Sequence, residues 1–253
     1  MKFLVLGGTV FVGRHFVEAA LARGHAVTLF NRGLRNPDLF PELEKLCGDR
    51  DGDLSALQGR SFDAVFDPSG YKPEQITALI TALGGRVPHY TFVSSISAYS
   101  KFPPGRSFDV DAPLAAWCVR LAEERRVGRL NAIGPKSRLT MGEFLEACRL
   151  SVGRDTRMTW VSDDDLIREG VEPWSEMPLW MPEADPSFGG VMLGDNRRSV
   201  AAGLTFRSAA DTIRATLEWD AREGGLQGSS PSRVTPISRD REAAIMEKLA
   251  RRV

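Results

Sequence analysis

The sequence predicts an α/β protein, a doubly wound parallel sheet followed by a smaller C-terminal lobe. Three observations carry that prediction. Short apolar runs alternate with stretches of helical period up to residue 94. The first run stops at a glycine pair that opens a helix. The pattern then changes after residue 133, where caps, short helices and a Trp/Pro loop replace the alternation.

Lys2-Phe3-Leu4-Val5-Leu6 ends at Gly7-Gly8 and reads as a fully buried strand. Phe11 to Arg23 is helical, with Phe16, Val17, Ala20 and Leu21 at three- and four-residue spacing and Gly24 as a left-handed stop. Ala26 to Phe30 is a second strand that leads into Asn31-Arg32-Gly33. Glu44 to Cys47 is a third, before Gly48-Asp49-Arg50-Asp51-Gly52. Phe62 to Phe66 is the fourth; a helix from Pro73 to Leu83 and a strand from His89 to Ser94 follow. Leu114 to Arg126 is an amphipathic helix with Trp117, Leu121 and Ala122 on its apolar side, and Arg129 to Ile133 is a short strand.

In the second half, Thr140-Met141-Gly142-Glu143 is a capping box for a helix carrying Phe144, Leu145 and Cys148. Arg157 to Val161 reads as a strand, and Ser162-Asp163-Asp164-Asp165 caps a short helix. Pro173 to Pro186 is a Trp/Pro loop, Ser208 to Glu223 a helix, Gly224 to Pro236 a linker, and Ser238 to Arg252 a charged helix. The expected domains are 1–133, 134–236 and a terminal helix at 237–253.

The chain has 253 residues, with 33 Lys+Arg against 33 Asp+Glu, 42% hydrophobic and 26% charged. That composition excludes a disordered chain, a collagen-like repeat and a disulfide scaffold. Zero formal net charge removes the simplest electrostatic argument for a nucleic-acid or membrane partner. Cys47, Cys118 and Cys148 show no C-x-x-C spacing and read as thiols of a reducing compartment. No apolar run reaches membrane-spanning length, and the first residues read as a strand, not a signal peptide. The expectation is a soluble, cytoplasmic protein.

Gly7-Gly8-Thr9-Val10-Phe11-Val12-Gly13 lies between the first strand and the first helix, as a dinucleotide pyrophosphate requires. Glycines let the backbone approach the phosphates, and the helix N-terminus offers free N–H groups. Gly7 makes the tight turn in this reading, and Gly13 lets helix and strand pack closely. Val10 replaces the middle glycine of the usual G-x-x-G-x-x-G spacing. A Rossmann-like glycine turn that binds nothing is the plainer alternative. Asn31-Arg32 closes the second strand, where NAD-preferring proteins place an acid. Arginine there suits a 2′-phosphate, so the expected cofactor is NADP or NAD, with NADP preferred; a solvated surface arginine is the alternative.

On these residues the chain resembles the extended short-chain dehydrogenase/reductase superfamily, which holds NAD-dependent epimerases and dehydratases. The likeness is to the atypical branch whose loop reads G-G-T-x-F-x-G, a branch similar to the chloroplast stem-loop-binding proteins. Further matching segments are Gly48-Asp49-Arg50, Phe92 to Tyr99, Asn131 to Pro135, Arg138 to Met141 and the loop from Trp174 to Pro182. The resemblance implies that Asp49 and Arg50 lie near the adenine. It also puts Pro68, Ser69 and Gly70 near the ribose and diphosphate, with Ser94 beside Ser95 at the catalytic Ser/Thr position. It implies an oxidoreductase, epimerase or dehydratase acting on a sugar nucleotide or similar small metabolite, with a homodimer as a family-type assembly.

The chain departs from the family at one point. The family's Tyr-x-x-x-Lys helix puts both side chains on one face, and the lysine lowers the tyrosine pKa so that the phenolate acts as a base. Here Tyr71, Tyr90 and Tyr99 all lack a lysine four residues on. Family-like sequence passes from Asp111–Leu114 straight to Trp117–Leu121, so one or two βαβ units are missing near Ala115-Ala116. Either the polypeptide has lost them, or the molecule contains a region this sequence lacks. Loss would expose apolar sheet surface and strand edges, which favours the second. The alternative to an enzyme is a catalytically inactive nucleotide-binding or RNA-binding relative.

Other candidate chemistry is weaker. His15, His25 and His89 are too scattered for a metal set, and no metal is expected. Asp163-Asp164-Asp165 reads as helix-capping acids. Ser95 lacks a G-x-S-x-G elbow, which argues against a hydrolase. The Trp174 to Pro182 loop either lines a substrate pocket or packs its own lobe. The arginines around Glu123-Glu124 read as a solvated helix face.

Overall fold

Side-chain alternation along the first strand sets the architecture. In β1 (Lys2–Leu6), Phe3 and Val5 join one core cluster while Leu4 and Leu6 join another, so both faces of the strand are buried. A computed structural model describes residues 1–94, 114–153, 156–191, 193–223 and 236–251. β1 is central in a five-stranded, all-parallel sheet with β2 (Ala26–Asn31), β3 (Glu44–Cys47), β4 (Ala64–Asp67) and β5 (Tyr90–Phe92), in the order β3-β2-β1-β4-β5. The sheet is doubly covered, as the sequence predicts. α1 (Phe11–Ala22) and α3 (Leu114–Glu123) pack with Phe3, Val5, Val27, Leu29 and Phe66. α2 (Pro73–Ala82) and the turn around Leu57 cover Leu4, Phe30 and Val65 on the other face.

Local chemistry explains the boundaries. α1 buries Phe16, Val17 and Ala20, and Phe16 stacks on Phe66 with ring centroids 3.8 Å apart. It ends at Arg23-Gly24, where Gly24 takes φ +76° and its N–H reaches the Leu21 carbonyl at 2.9 Å. α2 starts with Pro73, and its Gln75 side chain accepts from the N–H groups of Tyr71 and Lys72 at 2.9 and 3.1 Å. Ala115-Ala116 lies inside α3, so the helix crosses the expected gap without a break and buries Trp117, Cys118, Val119 and Leu121. Burial pushes the Cys118 thiol up to about 12, which leaves it an inert packing group.

The chain divides into two compact units. Among the described residues the first holds 1–94, 114–134 and 196–206, and the second holds the rest. This division differs from the expected one at two places. The segment 196–206, with α6 (Arg197–Ala201), returns to the first unit because Ala202 and Leu204 complete the core around Trp117. The terminal helix α8 (Arg239–Ala250) is not separate: Ile245 packs with Leu166 and Val171 in the second unit. Two expected strands form no ladder among the described residues. At 129–133 one bridge residue, Ala132, is seen among the described residues, and the carbonyls of Asn131 and Ile133 accept from the Ser199 and Asn196 side chains. Residues 157–161 are largely exposed and join no ladder among the described residues.

In the second unit α4 (Met141–Val152) has the expected capping box, Glu143 N–H to Thr140 Oγ1 at 3.2 Å and Thr140 N–H to Glu143 Oε2 at 2.7 Å. It pairs with α7 (Ala209–Glu223). Ser162 caps α5 (Asp163–Arg168), and Asp163 accepts from the Trp180 indole at 2.8 Å and the Glu183 N–H at 3.1 Å. Met177 and Trp180 of the Trp/Pro loop pack on Leu166 and Val171, whereas Trp174 and Leu179 are exposed. Among the described residues no helix is long and apolar enough to cross a membrane.

His89, just before β5, is buried, and its Nδ1 has no partner among the described residues. Burial disfavours the imidazolium and holds the His89 pKa below its ordinary value. The unfolded chain therefore takes up a proton near pH ~6.5 that the folded chain refuses, so stability falls as pH drops below that value. In His89→Gln, urea midpoints measured at several pH values from neutral into mild acid should fall less steeply than in the parent. Equal slopes would contradict this account.

Candidate functional site

Five strand ends meet along the C-terminal edge of the sheet, and every described site residue expected from sequence lies there. The order reverses between β1 and β4, the switch point at which doubly wound sheets open a crevice.

The β1–α1 turn forms one wall. Gly7 and Gly8 take φ +94° and +82°. A Cβ on Gly7 would meet nothing within 4 Å, so the space beside that turn is open. A Cβ on Gly13 would lie 3.0 Å from the Gly8 nitrogen and 3.5 Å from the Pro68 ring, which makes Gly13 the point of close approach between helix and loops. α1 has no side-chain cap and no acid in its first turn, so its leading N–H groups keep their capacity for an anion. Val12 packs inward, whereas Phe11 stands 76% exposed at the mouth.

A latch fixes this turn to the loop after β2. The Asn31 amide donates to the Gly7 carbonyl at 3.0 Å and accepts from the Gly33 N–H at 2.8 Å. The Thr9 hydroxyl donates to the Arg35 carbonyl at 2.9 Å, and the Asn36 amide to the Thr9 carbonyl at 2.9 Å. Asn31 and Thr9 are thus committed to shaping the loop. Arg32 is exposed and has no hydrogen bond or ion pair among the described residues. A cleft of about 70 Å³ lies beside it, lined by Thr9, Asn31, Gly33, Pro37, Lys45 and Cys47.

The opposite wall holds a feature sequence reasoning missed. Asp67, the last residue of β4, is fully buried. Arg50 grips it end-on, Nη1 to Oδ1 at 2.9 Å and Nη2 to Oδ2 at 2.8 Å. The Tyr90 hydroxyl donates to Oδ2 at 2.7 Å, and the Ser69 N–H to Oδ1 at 3.0 Å. Burial alone would raise the Asp67 carboxyl, but the Arg50 and Tyr90 hydrogen bonds outweigh it and hold the group below the usual carboxylate range. Burial, then the Asp67 carboxylate, push the Tyr90 hydroxyl well above the ordinary phenol value. Tyr90 is therefore a fixed donor, unsuited to act as a base. Only tertiary folding brings positions 50, 67 and 90 together, so no spacing in the sequence announces the cluster.

Asp49 caps its own turn, its Oδ1 accepting from the Asp51 N–H at 3.0 Å. Ser94 is exposed past the end of β5. Ser95, with Tyr99, lies outside the described residues. Tyr71 is 90% exposed in the β4–α2 loop.

No family model matches the chain. A chloroplast stem-loop binding protein of 41 kDa from Arabidopsis thaliana is 32% identical over 117 residues, covering 40% of this chain and 30% of that protein. The chain thus spans under a third of the length of that curated relative. Among solved structures, a UDP-glucose-4-epimerase from Stenotrophomonas maltophila with bound NAD superposes with a TM-score of 0.60 at 15% identity, over 88% of this chain and 99% of that one. A human epimerase family protein with NADPH gives 0.56 at 16% identity, over 86% and 99%. The fold of this chain is the Rossmann-like fold of those epimerases.

Proposed function

We propose that the chain binds a nicotinamide dinucleotide across the C-terminal edge of its sheet, as an epimerase, dehydratase or reductase of the extended short-chain type. The observation that carries this reading is the Gly7–Gly13 turn, with two left-handed glycines, open space at Gly7 and an uncapped α1 terminus. Those groups fit a diphosphate. When bound, the nicotinamide supplies hydride chemistry. The chain's own part is to seat the phosphates on the α1 N–H groups and to offer Arg32 to the adenosine end. Asp49, Arg50, Pro68, Ser69, Gly70 and Ser94 form the rest of the crevice rim. Ser95 polarises the substrate oxygen by resemblance, and the substrate class is a sugar nucleotide or similar small metabolite.

One observation favours a second reading, a nucleotide-binding relative without turnover. Tyr90 is locked on Asp67, and none of the three tyrosines has the lysine four residues on that the family's base requires. Titration of the full chain with NADPH and NADH, followed by nucleotide fluorescence, tests the shared part; failure to bind either removes both readings. Slow oxidation of NADPH with carbonyl substrates separates them in favour of the enzyme.

Supporting the NADP preference, Arg32 is solvent-facing and uncommitted at the end of β2. Arg32→Ala should weaken NADPH about tenfold or more, the worth of a charge-assisted contact, and leave NADH nearly unchanged. Equal loss for both nucleotides would remove the 2′-phosphate role.

A further inference from the structure

The Arg50–Asp67–Tyr90 cluster saturates its buried carboxylate. An ionised carboxylate has about four lone-pair positions. Those of Asp67 are taken by two Arg50 nitrogens, the Tyr90 hydroxyl and the Ser69 N–H. Arg50 spends Nη1 a second time on the Ser69 hydroxyl at 3.0 Å, and its Nε is buried without a partner. The Asp67 side chain has no exposed surface, and the Arg50 side chain keeps 14% exposure with both Nη atoms engaged on Asp67. What the cluster does touch is the loop after β4. A Cβ on Gly70 would lie 2.7 Å from the Phe92 ring, 3.0 Å from Asp67 Oδ2 and 3.4 Å from Arg50 Nη2, so the backbone at Gly70 rests directly on the ion pair.

The loop after β3 is fastened to the same place. The Gln75 amide donates to both Asp51 oxygens at 2.9 Å, and Lys72 reaches Asp51 at 3.4 Å. Asp51 is the neighbour of Arg50, so two ties join the loop after β3 to the start of α2, where the β4–α2 loop ends. Pro68 at the start of that second loop abuts Gly13 of the phosphate turn.

We infer that Arg50 is a positioning residue: through Asp67 it sets the Ser69–Gly70 backbone, and with it one wall of the nucleotide crevice, instead of touching the nucleotide itself. This inference rests on the dinucleotide reading of the site. It differs from the sequence expectation that Arg50 lies against the adenine.

The two roles predict opposite signs at Asp67. If Arg50 held the nucleotide directly, Asp67→Asn would free the guanidinium, and binding would hold or tighten. A positioning role makes Asp67→Asn and Arg50→Met each weaken NADH and NADPH alike, by about tenfold, because the displaced wall is shared by both nucleotides. The double variant should bind better than the product of the two single losses, since a neutral pair no longer strands a buried charge. Gly70→Ala leaves every charged group in place and lifts only the loop, so it should weaken both nucleotides threefold or more. It also keeps the test open if an Arg50 variant fails to fold.

Dissociation constants are read on the full chain well below each variant's melting midpoint, which separates affinity from stability. Parallel losses with non-additive recovery support the inference. If the parent binds and the folded variants bind within twofold of it, or if Asp67→Asn tightens binding, the positioning role is overturned while the nucleotide site stands. A parent that binds neither nucleotide overturns the site reading, and this inference with it.

Discussion

Gly8→Ala should destabilise the first unit by about 2–5 kcal/mol, the sum of left-handed backbone strain and core overpacking. Gly8 takes φ +82°, and its Cβ would lie 2.6 Å from Leu29 Cδ2 and 3.3 Å from both Val17 and Val5. Those three side chains are at 0% exposure, so none has free volume to move into. Gly7→Ala is the matched control. It meets the same kind of positive φ, +94°, but its Cβ would have nothing within 4 Å. Only the strain remains there, about 1–2 kcal/mol. Urea midpoints for the pair should differ clearly, Gly8→Ala being the weaker protein. Equal midpoints would mean that the turn is not packed on Leu29 as described. Gly7→Ala carries a second expectation: a stable fold with impaired nucleotide binding, because its methyl group enters the space beside the turn.

The second large effect belongs to Trp117. It is 4% exposed, sits one residue past the Ala115-Ala116 junction, and donates its indole N–H to the Ala202 carbonyl at 2.9 Å. Trp117→Ala should lose about 3–5 kcal/mol, the usual range for a buried aromatic truncated to alanine. Trp117→Phe retains much of the packing but leaves the Ala202 carbonyl unpaired, for a loss of about 1–3 kcal/mol. Both changes should loosen residues 196–206, seen as faster amide exchange there, because α3 and that returning segment share one core. Unchanged exchange at 196–206 would contradict their assignment to the first unit. Peptide mapping bears on the junction from another side: residues found between Ala115 and Ala116 that this sequence lacks would indicate a further internal region.

The legible part of the fold is the part governed by local rules. β1 announces itself by continuous apolar residues, since both of its faces are buried, and α1 by Phe16, Val17 and Ala20 between a glycine turn and Gly24. The Thr140 and Ser162 caps were readable because each depends on a contact three residues away. The failures involve distant partners. Residues 129–133 and 157–161 have strand-like composition but form no ladder among the described residues, since a strand needs a neighbour that local composition does not announce. α6 itself is five residues opening on two arginines, too short to show a period.

The candidate site divides the same way. The glycine turn is a contiguous motif and was legible, as was the position of Arg32. That Asn31 serves as a latch and that Arg50 is bound to Asp67 depends on contacts 24 and 17 residues away, which leave no trace in spacing. Asp67 lies one residue past the strand expected at 62–66. Its burial becomes apparent only when Arg50 and Tyr90 converge on it.

Hydrogen exchange of the full chain with and without NADPH tests the central claim most directly. Bound nucleotide should slow exchange of the amides at 7–13 first, with smaller protection at 68–72, and leave the second unit's α4–α7 pair unchanged. Binding with no protection at 7–13, or with protection confined to residues outside the C-terminal edge of the sheet, would contradict the account.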